Sequence, residues 1–492
     1  MSKTLQVRRG SYVDSVTLMQ VSRKVASAPG VTSALVAMAT ELNLDLARSM
    51  GFALPDRTSP NEMLVAVDAA DEDALAGALT VVDTALREAA TPVATSFGSA
   101  PQPLTVGAAA RRGGAGVALI STPGEYAFAD AVDAVDAGLH CMVFSDNVPL
   151  EQEVALKRYA EDAGVLVMGP DAGTAVVGGV GLGFADVVRP GPVGIVAASG
   201  TGAQHLMTLL DGSGIGISHC LGVGGRDLSA AVGGISTLRA LDLLADDEAT
   251  ELVVVVSKPG DAEVATRIEA RAGALGKPVM FALLGPGRPD LTEAARQVVE
   301  AAGGSWQPPR SFPGSVQAGR PGGALRGLFA GGTLCHEAML LAADELGPIA
   351  SNVPLTDGQA VDARLGSDGH TMIDFGDDRL TQGRPHPMID GSIRVERLLA
   401  EIGDPTTGVV LLDVVLGLGA ADDPAGELAP AVTAATDAGV PVVASVVGTK
   451  DDPQDLERQI TTLRDAGAWV CTSNADATRI ALRLVESKEA RS

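Results

Sequence analysis

The sequence predicts an α/β protein of several domains: a small N-terminal α/β module, a Rossmann-like unit of about half size, and two copies of one strand-loop-helix plan. Three observations predict this. At 492 residues the chain is too long for one hydrophobic core. Apolar residues make up 46% and aromatics only 3%, so the cores are built from Ala, Val, Leu and Ile, which suits helices packed over Val-rich parallel strands. Short apolar runs bounded by Gly, Pro and Asp also alternate with helical patterns along the chain.

In order, 4–9, 32–40 and 63–69 read as strands, with helices near 14–28, 41–50 and 70–90, giving a module over 1–92. A polar stretch with SFGSAPQP leads to a second unit, 96–190, with strands at 116–122, 140–145 and 165–170 and helices over 126–138 and 149–163. A third domain, 191–306, carries strands at 193–199, 216–224, 251–257 and 278–285. The linker QPPRSFPGSVQAGRPGG (307–323) precedes a fourth, 324–486.

The third domain repeats in the fourth. VAASGTGAQHLMTLL (196–210) aligns with LFAGGTLCHEAMLLA (328–342), ELVVVVSKPGD with GVVLLDVVLGLGA, and GKPVMFALLGPGRPD (276–290) with GVPVVASVVGTKDDP (439–453). Ligands of doubly wound sheets lie beyond the carboxyl ends of the strands, so two such domains meeting at that edge make one site from paired loops.

A formal charge of -25 excludes partners with phosphate backbones and acidic membrane surfaces. The opening MSKTLQVRRGSYVDS lacks an apolar leader segment, and the greasiest run, 408–420, is broken by Asp413, so a cytoplasmic protein is expected. Cys141, Cys220, Cys335 and Cys471 are widely spaced, which predicts buried thiols and neither disulfides nor a zinc site. Low charge density permits a homo-oligomer.

Ser199-Gly200-Thr201-Gly202 stands between a buried strand and a helix. A helix N-terminus offers unpaired N–H groups and a partial positive charge, so this turn suits phosphate or carboxylate. Gly331-Gly332-Thr333 and Gly417-Leu418-Gly419-Ala420 form similar turns at the same expected edge. Arg226 can bind an oxyanion, with Asp227 either holding it or capping a helix. Within MIDFGDDRLTQGRPHPMIDGS (372–392), Asp374, Asp377, Asp378 and Asp390 lack a metal-loop spacing, so no metal is expected. Arg384-Pro385-His386-Pro387 restricts the backbone around His386, as a positioned acid/base or carbonyl-polarising group requires. His140, His205, His219 and His370 read as packed histidines, while the duplicated helix turns His336 and Glu337 toward the shared cleft.

These motifs, with SYVDSVTLMQVSRK, STPGEYA, FSDNVPLEQE, VMGPDAGT, GGRDLSAAVGGIS and GRPHPMID, resemble the FdrA family, relatives of the succinyl-CoA synthetases. The resemblance implies a CoA-binding-type domain over 96–190 and flavodoxin-like ligase domains of the synthetase α type (191–306) and β type (324–486). It implies a phosphate held between two helix N-termini, Ser199–Gly202 and Gly417, Gly419 and Ala420. The synthetases' phosphorylated histidine has no counterpart, because LLGPGRPDLTEAARQ (283–297) contains no His. With neither an ATP-grasp segment nor a CoA-cradling Gly-rich loop in 96–118, CoA is not expected as a cofactor.

The family association further implies a subunit of an oxamate carbamoyltransferase in allantoin catabolism, acting with partner subunits on a small anionic substrate, with phosphate or carbamoyl phosphate as ligand. In that reading Arg226 helps hold phosphate and His386 or Arg384 stabilises the oxyanion, with Asp227, His336, Asp377 and Asp378 behind them. An acyl-CoA synthetase subunit and a non-catalytic scaffold are the competing expectations.

Overall fold

The computed structural model describes residues 2–8, 13, 15–55, 58–59, 62–90, 103–316, 318–320, 322–356, 358–362, 365–366, 369–381 and 385–486. It divides into two compact units, Met1–Gln102 with Gln382–Pro385, and Pro103–Thr381 with His386–Ser492.

The first unit runs β1 (Ser2–Arg8), α1 (Ser15–Ala26), β2 (Val31–Met38), α2 (Glu41–Ser49), β3 (Met63–Ala69) and α3 (Glu72–Ala90). Its sheet has the order β1-β3-β2, with both pairings antiparallel. Alternate residues of β3, Met63, Val65 and Val67, bury against Leu18, Val21 and Val25 of α1 and Ala78 and Val82 of α3. Thr40 caps α2 by accepting from Asn43 N.

The second unit opens with α4 (Val106–Ala110), β4 (Val117–Ile120), α5 (Gly124–Asp136), β5 (His140–Val143), α6 (Leu150–Asp162) and β6 (Val167–Met168), whose strands form the parallel sheet β4-β5-β6. A hairpin follows, β7 (Thr174–Val177) and β8 (Val180–Gly183), turning on Gly178 and Gly179, both with positive φ. Next come β9 (Pro190–Ala197), α7 (Gly200–Gly212), β10 (Ile217–Gly222), α8 (Ile235–Asp246), β11 (Leu252–Ser257), α9 (Ala262–Gly273), β12 (Val279–Leu283) and α10 (Leu291–Ala301). Their sheet runs β12-β11-β9-β10-β7-β8. Residues 174–183, which the sequence reading included in the domain 96–190, therefore form part of this sheet, because β7 finds its backbone partners on β10, Val176 opposite Cys220.

The last part comprises β13 (Ser311–Phe312), β14 (Ala324–Phe329), α11 (Gly332–Leu346), β15 (Thr371–Asp374), α12 (Asp378–Thr381), α13 (Ser392–Gly403), β16 (Thr407–Val415), α14 (Pro424–Asp437), β17 (Val442–Val447), α15 (Leu456–Asp465), β18 (Trp469–Cys471) and α16 (Asn474–Glu486). Its sheet runs β13-β18-β17-β16-β14-β15. β9 lies between β10 and β11 as β14 lies between β15 and β16, the doubly wound order that the internal repeat predicts. All of β11 and β16 is buried, as strands covered by helices on both faces must be. The four cysteines are free and buried, and no described helix is long and apolar enough to cross a membrane.

Candidate functional site

In a doubly wound sheet the strand order reverses beside the first strand, and the loops leaving that point diverge to open a crevice. Here the reversal falls between β9 and β11, and again between β14 and β16. The loops concerned begin at Ser199, Lys258, Gly331 and Gly417.

Two of these turns abut. Ser199 leaves β9 in extended conformation and caps α7, its Oγ accepting from Gly202 N at 3.1 Å. The same hydroxyl lies 2.6 Å from Thr333 Oγ1 in the first turn of α11. Gly331 is required here, since a Cβ on it would stand 2.9 Å from Thr201 Oγ1 and 3.0 Å from Asp413 Oδ2. Asp413, fully buried on β16, accepts from the N–H of Ala330 and of Gly331 at 2.7 Å each. Arg394 of α13 balances its charge, donating from Nη1 to Asp413 Oδ1 at 2.6 Å and from Nη2 to Asp413 O at 2.8 Å.

The result is an open cradle. Among the described residues, no acceptor takes the N–H of Gly200 or Thr201 in α7, or of Gly332, Thr333 or Leu334 in α11, which has no side-chain cap. Lys258 follows β11 and is half-buried, with Nζ 3.5 Å from where a Gly332 Cβ would be. No described residue gives its ammonium a hydrogen bond or ion pair, although its charge acts on Asp171, His336 and Asp374. Burial lifts the Asp374 carboxyl to about 7 against the pull of Lys258, so this neighbour opposes an anion less than an ordinary carboxylate would. His336, one turn into α11, is pushed down to about 4 by burial and by Lys258, and its Nε2 is buried without a partner.

The 417–420 turn takes a different role from the one expected. Three of its four N–H groups bond to protein: Gly417 to Gln454 Oε1, Leu418 to Ala185 O, Ala420 to Gly417 O. The helix starts only at Pro424, behind an Asp423 cap. The glycines are there for close approach, since a Cβ on Gly417 would lie 2.7 Å from Ala185 O. The turn that meets Ser199 is therefore Gly331–Thr333.

The charge of Arg226 acts on Asp171 and Asp378, as that of Asp146 does, but Asp227 does not hold Arg226. Glu153 does, its Oε2 forming an ion pair with Arg226 Nε at 2.9 Å. Asp227 is fully buried, pairs with Lys157 at 2.7 Å, and accepts from Ser236 N and Thr237 N to shape the loop before α8. Asp378 opens α12 with its carboxyl raised by burial and by Asp146, whereas Asp377 pairs outward with Arg379 at 2.9 Å.

His386 packs its ring against Phe184, with centroids 5.4 Å apart. Its Nδ1 accepts from Met388 N at 3.2 Å, which leaves Nε2 to carry the proton. Burial and the nearby Arg394 push the imidazole down to about 4, so it is neutral at pH 7. Nε2 faces Gly376, where a Cβ would lie 2.7 Å from it and 3.2 Å from Asp374 Oδ1. Arg384 lies outside the described residues. Lys258, Asp413 and Arg394 were not among the sequence candidates.

Comparison with known proteins places the chain. It is 34% identical over 517 residues to the uncharacterized protein YahF of Escherichia coli, covering 99% of both chains. The chain belongs to the YahF family. The CoA-ligase family matches its residues 328–484, and a family described as AllF, heavy metal-associated domain, matches residues 1–102. A succinate–CoA ligase [ADP-forming] subunit alpha 2 from Archaeoglobus fulgidus is 30% identical over 163 residues, 32% of this chain and 55% of that subunit. The chain thus spans about half the length of that relative, and the YahF family sits within the succinyl-CoA synthetase-like superfamily. Among solved structures, a dinucleotide forming acetyl-coenzyme A synthetase 1 from Ca. Korarchaeum cryptofilum, in complex with phosphate and ADP, aligns over 81% of this chain and 90% of its own at 17% identity and a TM-score of 0.30.

The heavy-metal description of the N-terminal family does not fit the residues here. Positions 1–102 contain neither Cys nor His, so no thiolate or imidazole is there to bind a soft metal ion.

Proposed function

We propose that this YahF relative is an FdrA-type subunit of a carbamoyltransferase of allantoin catabolism, which converts oxalurate and phosphate to oxamate and carbamoyl phosphate. The observation that supports it best is the cradle: two abutting helix N-termini whose first N–H groups, and the Lys258 ammonium beside them, have no partner among the described residues. Such a site is built for an oxyanion. The name of the AllF family at residues 1–102 supports the pathway, and the absence of His from 283–297 supports direct transfer over a phosphoenzyme.

Phosphate lies on the N–H groups of Gly200, Thr201, Gly332, Thr333 and Leu334, with Lys258 against it. One phosphate oxygen forms the bond to the carbamoyl carbon, and the bond from that carbon to the oxamate nitrogen breaks. The proton of the monohydrogen phosphate passes to the departing nitrogen. Holding both reactants in place supplies most of the acceleration. His386 donates from Nε2 to the carbonyl oxygen as charge develops there, a role a neutral imidazole fills without losing its proton. Arg226, fixed by Glu153, steadies the anionic substrate.

Similarity to succinate–CoA ligase α subunits favours a second reading, an acyl-CoA synthetase subunit. One assay separates the two. The chain, alone and with its partner subunits, is given oxalurate and phosphate, or CoA, ATP and a carboxylic acid. Phosphate-dependent carbamoyl phosphate is the expected product; acyl-CoA alone would overturn the carbamoyltransferase reading.

A further inference from the structure

The anion cradle depends on a residue that never meets the anion. A turn between strand and helix can aim its N–H groups in many directions, and only fixed donors act without reorganising when a ligand arrives. The first two N–H groups after β14, those of Ala330 and Gly331, are drawn inward onto the two carboxylate oxygens of Asp413. The next three, of Gly332, Thr333 and Leu334, open α11 without an acceptor among the described residues.

Asp413 reaches that turn because β16 lies beside β14, with Leu412 opposite Leu328 in register. Its carboxylate is wholly buried, and such a charge survives only if paired. Arg394 pairs it twice, through the side chain and the backbone carbonyl of the same residue. The pairing also cancels a negative charge that would otherwise stand behind the cradle and repel its ligand.

We propose that Asp413, neutralised by Arg394, is the positioning residue of the site: it clamps the Ala330–Gly331 turn so that the N–H groups of Gly332, Thr333 and Leu334 face an oxyanion. This rests on the reading of the paired turns as a phosphate site. It makes Asp413 a determinant of phosphate affinity and not of stability alone.

The discriminating variant is Asp413→Asn with Arg394→Met in the full chain. Replacing both members of a buried ion pair leaves no stranded charge, so most of the stability is retained. The clamp is still broken, because an amide can accept from only one of the two N–H groups. Inorganic phosphate is titrated into wild type and double variant and followed by calorimetry, after thermal unfolding confirms that both are folded. The expected result is at least tenfold weaker phosphate binding by the double variant, with Arg394→Lys, which keeps a cation on Asp413, within threefold of wild type. Should the double variant unfold, Asp413→Glu, which keeps an anion beside Arg394 but moves the carboxylate by one methylene off the two N–H groups, is titrated in its place with the same expected loss. Wild-type affinity in a folded variant lacking the clamp would overturn the proposal while sparing the site. No phosphate binding by wild type would remove the site itself, and the proposal with it.

Discussion

The two doubly wound halves share a strand order, yet their reversal points are equipped differently. In the first half the loop after β11 begins with Lys258, a cation without a described partner, and the turn after β9 is capped by Ser199 and leaves two N–H groups without an acceptor among the described residues. In the second half the turn after β14 has no side-chain cap and leaves three N–H groups without an acceptor among the described residues, while the loop after β16 gives the N–H groups of Gly417 and Leu418 to Gln454 and Ala185. Topology supplies each half with the same crevice. Which loop faces a ligand is decided by what else claims its backbone, and here each half contributes one open turn.

Removing the cation tests the asymmetry most severely. Lys258→Met takes away the charge facing the cradle, and turnover at fixed phosphate should fall at least a hundredfold, roughly 3 kcal/mol, as expected for a charge-assisted contact in a dry site. Steady-state kinetics across phosphate concentrations checks this. A smaller loss, about tenfold, is expected from Gly202→Ala, whose Cβ would lie 2.3 Å from Ser199 Oγ and 2.9 Å from Thr333 Cγ2 and so would pry the two turns apart. The same titration reads it as a higher KM for phosphate.

His386 gives a pH signature. Its folded pKa, about 4, is below the ordinary 6.5, so the unfolded chain takes up the proton first. Its contribution to stability is complete above about pH 6.5 and is lost as pH falls through 4. Melting temperature should therefore drop between those values, and His386→Gln should drop less. The smallest effect is expected at the closed turn. Gln454→Ala removes the acceptor of Gly417 N, yet phosphate affinity should stay within twofold of wild type, because this turn lies outside the cradle.

Much of the fold was legible. The apolar runs that became β9, β11, β14 and β16 are bounded by glycine, proline or polar residues, and the alignment of 196–210 with 328–342 anticipated the pairing of β9–α7 with β14–α11. Ser199 was legible because serine before a glycine-rich helix start is a local signal. Lys258 and Asp413 were not. A lysine after a strand reads as a solvated charge, and an aspartate inside an apolar run reads as an interruption; only the neighbouring strand shows Asp413 to be a clamp. Likewise Arg226 and Asp227 are adjacent in sequence, but the loop sends one to Glu153 and the other to Lys157. The resemblance to the synthetases placed the second phosphate turn at Gly417–Ala420; in the structure Gly417 and Leu418 bond to Gln454 and Ala185, and the turn that meets Ser199 is Gly331–Thr333.

The most direct test follows the backbone N–H groups themselves. A nitrogen-15 NMR titration of the intact chain with inorganic phosphate would track Gly200, Thr201, Gly332, Thr333 and Leu334, with Gly417 and Leu418 as controls. The paired-turn account predicts that residues of both open turns shift together along one binding curve while the controls stay still. Shifts at Gly417 and Leu418 instead, or at only one of the open turns, would contradict it.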